Sequence, residues 1–325
     1  MQAIVARQYG SPDVLRLETV DRPVPGPKQV LIQVRAASVN PLDYHLLRAE
    51  PGFVRLFSGL GKPRSPIRGV DVAGIVESTG SEVTRLHPGD AVFGTGRGVF
   101  AEFAVAPESA LAARPPGVPF EHAAAAPVAG ITALQGLRDK GRVRAGQSVL
   151  VHGASGGVGT FAVQIAKILG AHVTAVTRAA NLDFVRALGA DAAIDYTQED
   201  FTQQAGRYDV ILDCYANHSL ADCRRALTPR GIYVGVGGPT TGLLSFFGRL
   251  LAILLLSPFR KQKTAFFVAK MKAADLAILG EWMASGQLTP VLDQCYPLDK
   301  LPEALRYLET GKARGKVVIL MNSAG

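Results

Sequence analysis

The chain has 325 residues, a formal net charge of +8, 48% hydrophobic side chains and 19% charged side chains. This composition is typical of a globular protein of roughly two domains and excludes a largely disordered chain. Because the Lys and Arg residues are scattered rather than grouped in stripes, we expect no nucleic-acid partner.

The three cysteines, Cys214, Cys223 and Cys295, have neither metal-ligand spacing nor the even count of a disulfide framework. They favour a reducing compartment. The segment that begins MQAIVARQYG has the pattern of a β-strand rather than of a signal peptide. We therefore expect a cytoplasmic protein.

Residues 1–121 are predicted to be mainly β. Period-two alternation predicts a strand over 28–39. Short apolar runs at 70–77, 91–93 and 100–105 are separated by Gly or Pro, which favours a compact barrel.

From about residue 122, strands and helices alternate. Strands are predicted at 148–153, 172–177, 192–195, 208–213 and 231–237, and helices at 158–169, 181–188 and 219–227. Gly170 and Gly189 are placed to end two of these helices. This alternation predicts an α/β fold with a parallel sheet covered on both faces. In the tail we expect helices at 274–284 and 302–311 and a final strand, KVVIL.

The segment VLVHGASGGVG (149–159) provides glycines between a strand and a helix. Small residues are needed there because the turn is tight, a pyrophosphate must approach the backbone and the helix must start against the sheet. The helix N-terminus then offers its N–H groups to the phosphates. This motif predicts dinucleotide binding by the residues listed here: Gly153, Ser155, Gly156, Gly157, Val158 and Gly159.

The residues after the next strand select the cofactor. NAD-binding proteins place Asp or Glu there to accept from the ribose 2′-hydroxyl, whereas this chain has Thr177 and Arg178. Because a guanidinium attracts a 2′-phosphate, these residues predict NADPH. The alternative is that Arg178 is an ordinary solvated charge.

The whole chain, from Met1 to about Leu320, resembles the medium-chain dehydrogenases/reductases, in particular the quinone oxidoreductase-like branch. The motifs that carry this resemblance are SVNPLDYHLLR (38–48), GVDVAGIVESTG (69–80), HPGDAVFG (87–94), AAAPVAGITALQGL (124–137), GASGGVG (153–159), LGADAAIDYTQEDF (188–201) and LETGKARGKVVIL (308–320). The resemblance implies a GroES-like β-barrel catalytic domain over 1–121 and 288–325. It also implies a Rossmann NADP(H)-binding domain over 122–287, with the active site in the cleft.

Zinc-dependent relatives carry Cys in the first of these motifs and His and Glu in the second. This chain has Asn40, Val70 and Asp71 at those positions. Asn and Val cannot replace thiolate and imidazole as Zn²⁺ ligands, so we expect no metal. Without a Lewis acid, reduction of an electrophilic quinone or enone becomes the favoured reaction.

The resemblance also implies site residues. Asn40, Tyr44 and Thr132 are expected at the nicotinamide end, where Asn40 would hydrogen-bond the ribose or the acceptor oxygen. Tyr44 is either a polarising hydroxyl or part of the pocket wall, and Asp43 is expected to be a structural acceptor. Further cofactor contacts are expected from Tyr196, Asn217, Phe266, Phe267, Val268 and Arg314. Core packing is the alternative for the two phenylalanines. Lys316 is expected either near the cofactor or as a surface charge.

Residues 243–259 form an apolar run interrupted by Arg249. Three roles stay open for it: a cap over a lipophilic substrate pocket, a dimer contact, or a peripheral membrane contact, which is not favoured. The resemblance implies a homodimer in which an edge strand such as GIYVGVG (231–237) pairs across a two-fold axis. Two other functions remain: a zinc-independent NADP-dependent alcohol or aldehyde dehydrogenase, and a non-catalytic NADPH-binding protein.

Overall fold

The computed structural model describes residues 1–52, 55–236 and 261–321. Its backbone separates into two compact units, Met1–Ile131 with Lys270–Gly325 (unit 1) and Thr132–Ala269 (unit 2). These limits differ from the predicted ones, because residues 122–131 and 270–287 group with unit 1. The reason is packing: the helices Phe120–Ala125 and Ala273–Ala284 both contact strands of the unit 1 sheet.

Unit 1 is built around one long strand, β3, whose alternate residues Val30, Ile32 and Val34 are buried in the core. Its main sheet has the order β14-β15-β3-β4-β5-β7, β6 pairs with β3, and β1 pairs with β2 in a separate ribbon. The strands are β1 (Gln2–Ala6), β2 (Leu15–Thr19), β3 (Gln29–Val39), β4 (Asp71–Thr79), β5 (Ala91–Thr95), β6 (Phe103–Pro107), β7 (Leu111–Ala113), β14 (Leu292–Pro297) and β15 (Lys316–Leu320).

The helices of unit 1 begin with α1, which follows directly from β3 at Pro41, a residue well suited to the first helical position. The helices are α1 (Pro41–Arg48), α2 (Arg55–Ser58), α3 (Phe120–Ala125), α4 (Pro127–Leu134, which runs on into unit 2), α8 (Ala273–Ala284) and α9 (Leu301–Glu309).

The C-terminal tail returns to the first part of the chain, as the resemblance implied. Strand β15 pairs antiparallel with β3 through Val317 and Val39. Helix α9 packs against α1, and Arg48 on α1 makes a two-pronged ion pair with Glu309 on α9. The tail thus completes the core of unit 1.

Unit 2 contains a parallel sheet of order β10-β9-β8-β11-β12-β13. Numbered from β8, this is the order 3-2-1-4-5-6 of the dinucleotide-binding fold, and it confirms the predicted Rossmann architecture. The elements are a π-helix (Gln135–Lys140), β8 (Ser148–His152), α5 (Gly157–Ile168), β9 (His172–Thr177), α6 (Leu182–Ala187), β10 (Ala192–Asp195), β11 (Tyr208–Asp213), α7 (Leu220–Ala226), β12 (Leu227–Gly235) and β13 (Lys263–Phe266).

Most predicted elements match to within a few residues, with two differences. Residues 231–235 of the predicted strand GIYVGVG belong to β12, which is not an edge strand, because β13 pairs along its outer side. Val158, which the periodicity of the predicted helix places on its buried face, is only partly buried because it lies in the first turn of α5. The apolar run 243–259 lies outside the described residues. Within the described ranges, every helix is too short or too polar to cross a bilayer.

Gly159 fixes how closely α5 approaches the turn after β8. A Cβ on Gly159 would lie 2.2 Å from the carbonyl oxygen of Gly153 and 2.7 Å from the backbone of Ala154. Neither backbone atom can rotate away, so any larger residue forces the helix and the turn apart. Gly156, in the same turn, is different, because its nearest neighbour would be 3.5 Å away.

We therefore expect Gly159→Ala to lower the free energy of unfolding by about 1–3 kcal/mol, since overlap with fixed backbone outweighs the better helix propensity of Ala. Gly156→Ala is the matched control and should change the stability much less. Urea titrations of both variants measure the difference. Equal stabilities would show that the contact with Gly153 does not limit the packing of α5.

Candidate active site

The turn from β3 into α1 places Asn40 at the N-terminus of α1. Asn40 has extended backbone, and its N–H donates to Asp43 Oδ2 at 2.7 Å. This is half of the reciprocal hydrogen bonding by which a residue in the first helical turn caps a helix. The structure thereby confirms that Asp43 is a structural acceptor. Burial raises the pKa of Asp43 to about 7, although the Asn40 N–H opposes that rise.

Asp71, the first residue of β4, gathers hydrogen bonds from three elements. Its Oδ2 accepts from Ser38 Oγ and Asn40 Nδ2, each at 2.9 Å. Its Oδ1 accepts from the Val128 backbone N–H at 3.0 Å, in the first turn of α4. Asp71 is completely buried, and these donors allow a carboxylate to be buried there.

Lys316, the first residue of β15, lies beside Asn40 and Asp71. Its Nζ donates to Asn40 Oδ1 at 2.6 Å and to the Val39 carbonyl at 3.2 Å, and lies 3.5 Å from Asp71 Oδ2. The side chain is only 3% exposed, so the surface-charge alternative for Lys316 is wrong. Burial lowers the pKa of Lys316, and the Asp71 and Asp43 charges oppose that change. Burial likewise raises the pKa of Asp71, with Lys316 the main opposing group.

This cluster of Asn40, Asp71 and Lys316 does not fit a zinc ion. Zn²⁺ in proteins is held by thiolate, imidazole or carboxylate groups, and here the only such group is one carboxylate, which faces an ammonium. The described residues contain no group of three or more His, Cys, Asp or Glu side chains that could hold a metal.

Tyr44 lies one turn further along α1, half-buried against the core of unit 1. Burial raises its pKa, and the charge of Glu309 adds to the effect. The hydroxyl therefore stays protonated at neutral pH and can donate a hydrogen bond. Thr132, on α4, is partly buried. Arg314 lies on the exposed segment before β15.

In unit 2, the Gly-rich turn lies at the carboxyl end of β8, where the strand order of the sheet reverses. Gly156 precedes α5 with extended backbone, so the first N–H groups of the helix point out of its end. The N–H groups of Gly153 and Ala154 both donate to the Val176 carbonyl, at 3.2 and 3.1 Å, which ties the turn to β9. An open helix end beside a glycine turn is a ready site for a pyrophosphate.

Thr177 connects this turn to the residues expected to select the cofactor. Its hydroxyl donates to Ser155 Oγ at 2.9 Å, and its carbonyl accepts from the Tyr196 N–H at 3.1 Å. Tyr196 is 53% exposed, and Arg178 follows Thr177 directly. The structure therefore brings these four predicted residues together at the ends of β9 and β10.

A buried polar network that the sequence did not reveal lies between β8, β11 and β12. The completely buried Asp213 ends β11, with His152 Nδ1 2.9 Å from its Oδ1 and the Tyr233 hydroxyl 2.7 Å from its Oδ2. Its Oδ1 also accepts from the N–H groups of Tyr215 and Ala216, at 3.0 and 2.7 Å. The network thus fixes the loop that leads to the exposed Asn217.

The other predicted cofactor residues lie at the end of β13 and directly after it. Asp213, Gly235 and Phe266 are in register across β11, β12 and β13, so all three strands end on one line. Phe266 is 38% exposed, and Val268 is 90% exposed. Phe267, expected either in the core or at the cofactor, is only partly buried, and Lys140 Nζ lies 5.8 Å from its ring.

Comparisons with known proteins agree with this arrangement. Residues 26–116 match the family model of the alcohol dehydrogenase GroES-like domain, and residues 188–319 match a model described as zinc-binding dehydrogenase. The chain is 35% identical to a 2-methylene-furan-3-one reductase of Solanum lycopersicum, with 98% of this chain and 79% of that protein covered. It is 34% identical, over the same shares, to a chloroplastic NADPH-dependent alkenal/one oxidoreductase of Arabidopsis thaliana.

Among solved structures, the quinone oxidoreductase of Coxiella burnetii is similar along nearly its whole length. The TM-score is 0.87 at 30% identity, covering 98% of this chain and 99% of that one.

The network around Asp213 leads to a pH-dependent prediction. Burial alone would raise the pKa of Asp213, but His152, the Tyr233 hydroxyl and the Ala216 N–H outweigh it and lower the pKa to about 2. Because the folded-state pKa lies below the unfolded one, the carboxylate stabilises the fold above about pH 4. This contribution, about 2 kcal/mol, is lost as the pH falls towards about 2.

We expect Asp213→Asn to be less stable than the wild type at neutral pH, and this gap should narrow as the pH falls from about 4 towards 2. Asp183→Asn, at an almost fully exposed side chain, is the control and should show no such gap. Urea titrations over this pH range measure the difference in the free energy of unfolding between each variant and the wild type. A gap that stays constant with pH would mean that the charge of Asp213 is not what stabilises the network.

Proposed function

This chain belongs to the medium-chain dehydrogenase/reductase superfamily, in its zinc-free, quinone oxidoreductase-like branch, and from that premise we propose that it transfers a hydride from NADPH to a quinone or an α,β-unsaturated carbonyl compound. The observation that carries this proposal is the ammonium of Lys316, bound to Asn40 and Asp71 at the position where zinc-dependent relatives place metal ligands. Because this cluster supplies no Lewis acid, the acceptor must already be electrophilic.

The residues of unit 2 fit a dinucleotide. The N–H groups at the start of α5, after Gly156, would hold the pyrophosphate. Arg178 would hold the 2′-phosphate, with Ser155 and Thr177 shaping the turn beside it. We assign the adenosine side to Tyr196 and Asn217 and the nicotinamide side to residues 266–268 and Thr132. We also propose Arg314, on its exposed segment, as a cofactor contact.

NADPH supplies a hydride when bound, and the protein supplies orientation and hydrogen bonds. The oxygen of a quinone or enone gains negative charge as the acceptor is reduced. Donors that already point at that oxygen stabilise the charge as it develops. We propose that the Tyr44 hydroxyl and the amide of Asn40 are those donors. Because the pKa of Tyr44 is raised, the hydroxyl is protonated over the neutral range, as this role requires.

We also propose a homodimer in the cytoplasm. Among the described residues β13 is the last strand of the sheet, so it replaces GIYVGVG as the strand that would pair with a second copy. The cytoplasm is inferred from the free cysteines Cys214, Cys223 and Cys295. Because the Arabidopsis relative is named as chloroplastic, the location has to be tested by imaging the tagged protein in the cells that produce it.

The first test follows the loss of NADPH absorbance with benzoquinones and with short- and long-chain enones, in the presence of a metal chelator. We expect turnover that the chelator does not change. Oxidation of simple alcohols with NADP⁺ that the chelator does not change would instead assign a zinc-independent alcohol dehydrogenase. Tight NADPH binding without turnover of any acceptor would assign a non-catalytic role.

The second test concerns cofactor choice. We expect Arg178→Ala to lower kcat/KM for NADPH by about 10- to 100-fold, the worth of a hydrogen bond to a charged group, and to leave kcat/KM for NADH nearly unchanged. Arg186→Ala, at an exposed side chain on α6, is the control. Equal losses with both cofactors would mean that Arg178 does not read the 2′-phosphate.

A further inference from the structure

The side-chain amide of Asn40 is held from both sides. Lys316 Nζ lies 2.6 Å from Asn40 Oδ1, and Asn40 Nδ2 lies 2.9 Å from Asp71 Oδ2. An ammonium has only hydrogens to offer and a carboxylate only lone pairs. The reverse orientation would bring the NH₂ group against the ammonium and the carbonyl oxygen against the carboxylate. The two charges therefore permit one orientation of the amide.

Lys316 is itself fixed in place. Its ammonium also donates to the carbonyl of Val39, the last residue of β3, and its neighbour Val317 pairs with Val39 in the sheet. The side chain is almost completely buried, so the ammonium cannot swing into water. The position of the ammonium is thus set by two strands of the same sheet.

The distances indicate which of its partners Lys316 contacts most closely. Its shortest contact is to Asn40 Oδ1, at 2.6 Å, while Asp71 Oδ2 is 3.5 Å away. Asp71 already accepts from Ser38, Asn40 and Val128. An ammonium that only balanced the charge of Asp71 would be expected closer to the carboxylate than to a neutral amide.

We propose that Lys316 is a positioning residue, which fixes the amide orientation of Asn40 and thereby decides which edge of that amide faces the acceptor. The inference rests on the proposed function, in which Asn40 donates to the acceptor oxygen. The clamp uses one amide hydrogen and one lone pair, so one hydrogen of Nδ2 remains for the substrate. A reversed amide would present a lone pair to an oxygen that is gaining negative charge.

The test compares Lys316→Met, which keeps most of the aliphatic length but removes the ammonium, with Lys312→Met at an exposed site four residues earlier. We expect kcat for the enone or quinone to fall about 100-fold in Lys316→Met, as misplacing a group that orients the reaction does. The dissociation constant of NADPH should match that of the Lys312→Met control. An unchanged kcat in a folded Lys316→Met protein would overturn the proposal.

A double variant separates positioning from charge balance. Lys316→Met alone leaves Asp71 buried without its counter-ion, so the protein should melt at a lower temperature. In the double variant Lys316→Met/Asp71→Asn, the Asn40 amide is free to reverse its orientation. Its carbonyl oxygen can then accept a hydrogen bond from the new amide at position 71. We expect Tm to recover while kcat stays low. Recovery of kcat together with Tm would show that Lys316 serves only to neutralise Asp71.

A measurement that needs no turnover keeps this proposal distinct from the proposed function. Heteronuclear NMR detects the side-chain NH₂ signals of Asn40, which are identified by their loss in Asn40→Asp. We expect these signals to shift in Lys316→Met and to stay in place in Lys312→Met. Unshifted signals would overturn the clamp whatever the enzyme reduces. Shifted signals in a protein that turns over no acceptor would support the clamp and count against the proposed function.

Discussion

The burial of the Asp71 carboxylate is the constraint on which unit 1 depends. An isolated charge inside a protein costs several kcal/mol, so Asp71 must gather partners from wherever the chain can supply them. They come from β3, the start of α1, the first turn of α4 and β15. One carboxylate thereby links residues 38 and 316 through hydrogen bonds and charge. This link helps to explain why the tail of the chain returns to the sheet of unit 1.

In unit 2 the equivalent constraint is backbone contact. Gly159 must let α5 lie almost against the carbonyl of Gly153, and the turn so formed hydrogen-bonds to the carbonyl of Val176. Beside it, Asp213 uses its oxygens to fix the loop that leads to Asn217. The strands end together at the point where the sheet order reverses, which is where ligands bind in open α/β sheets. This edge of the sheet is therefore held in place by contacts within the protein itself.

The sequence predicted features that depend on neighbouring residues and missed contacts between residues far apart in the chain. The strands and helices of unit 2 and the turn at 153–159 follow from patterns within a few residues, so they could be located closely. The partners of Asp71 and Asp213 could not, because His152 is 61 residues from Asp213 and Lys316 is 245 from Asp71. A lone Lys in the tail has no pattern that separates a surface charge from a buried one. The edge strand was misplaced for a different reason, because β13 is only four residues long.

This contrast explains why the cofactor of such a chain is easier to infer than its acceptor. A dinucleotide is held largely by backbone groups, and backbone geometry needs glycines at fixed spacing, which the sequence displays. An acceptor is oriented by side chains, and the direction of a side chain can depend on distant partners, as that of Asn40 does. If Lys316 sets the direction of the Asn40 amide, the chemistry of the acceptor end depends on a residue 276 positions away. Changes in the tail can then alter the reaction without altering any motif that binds the cofactor.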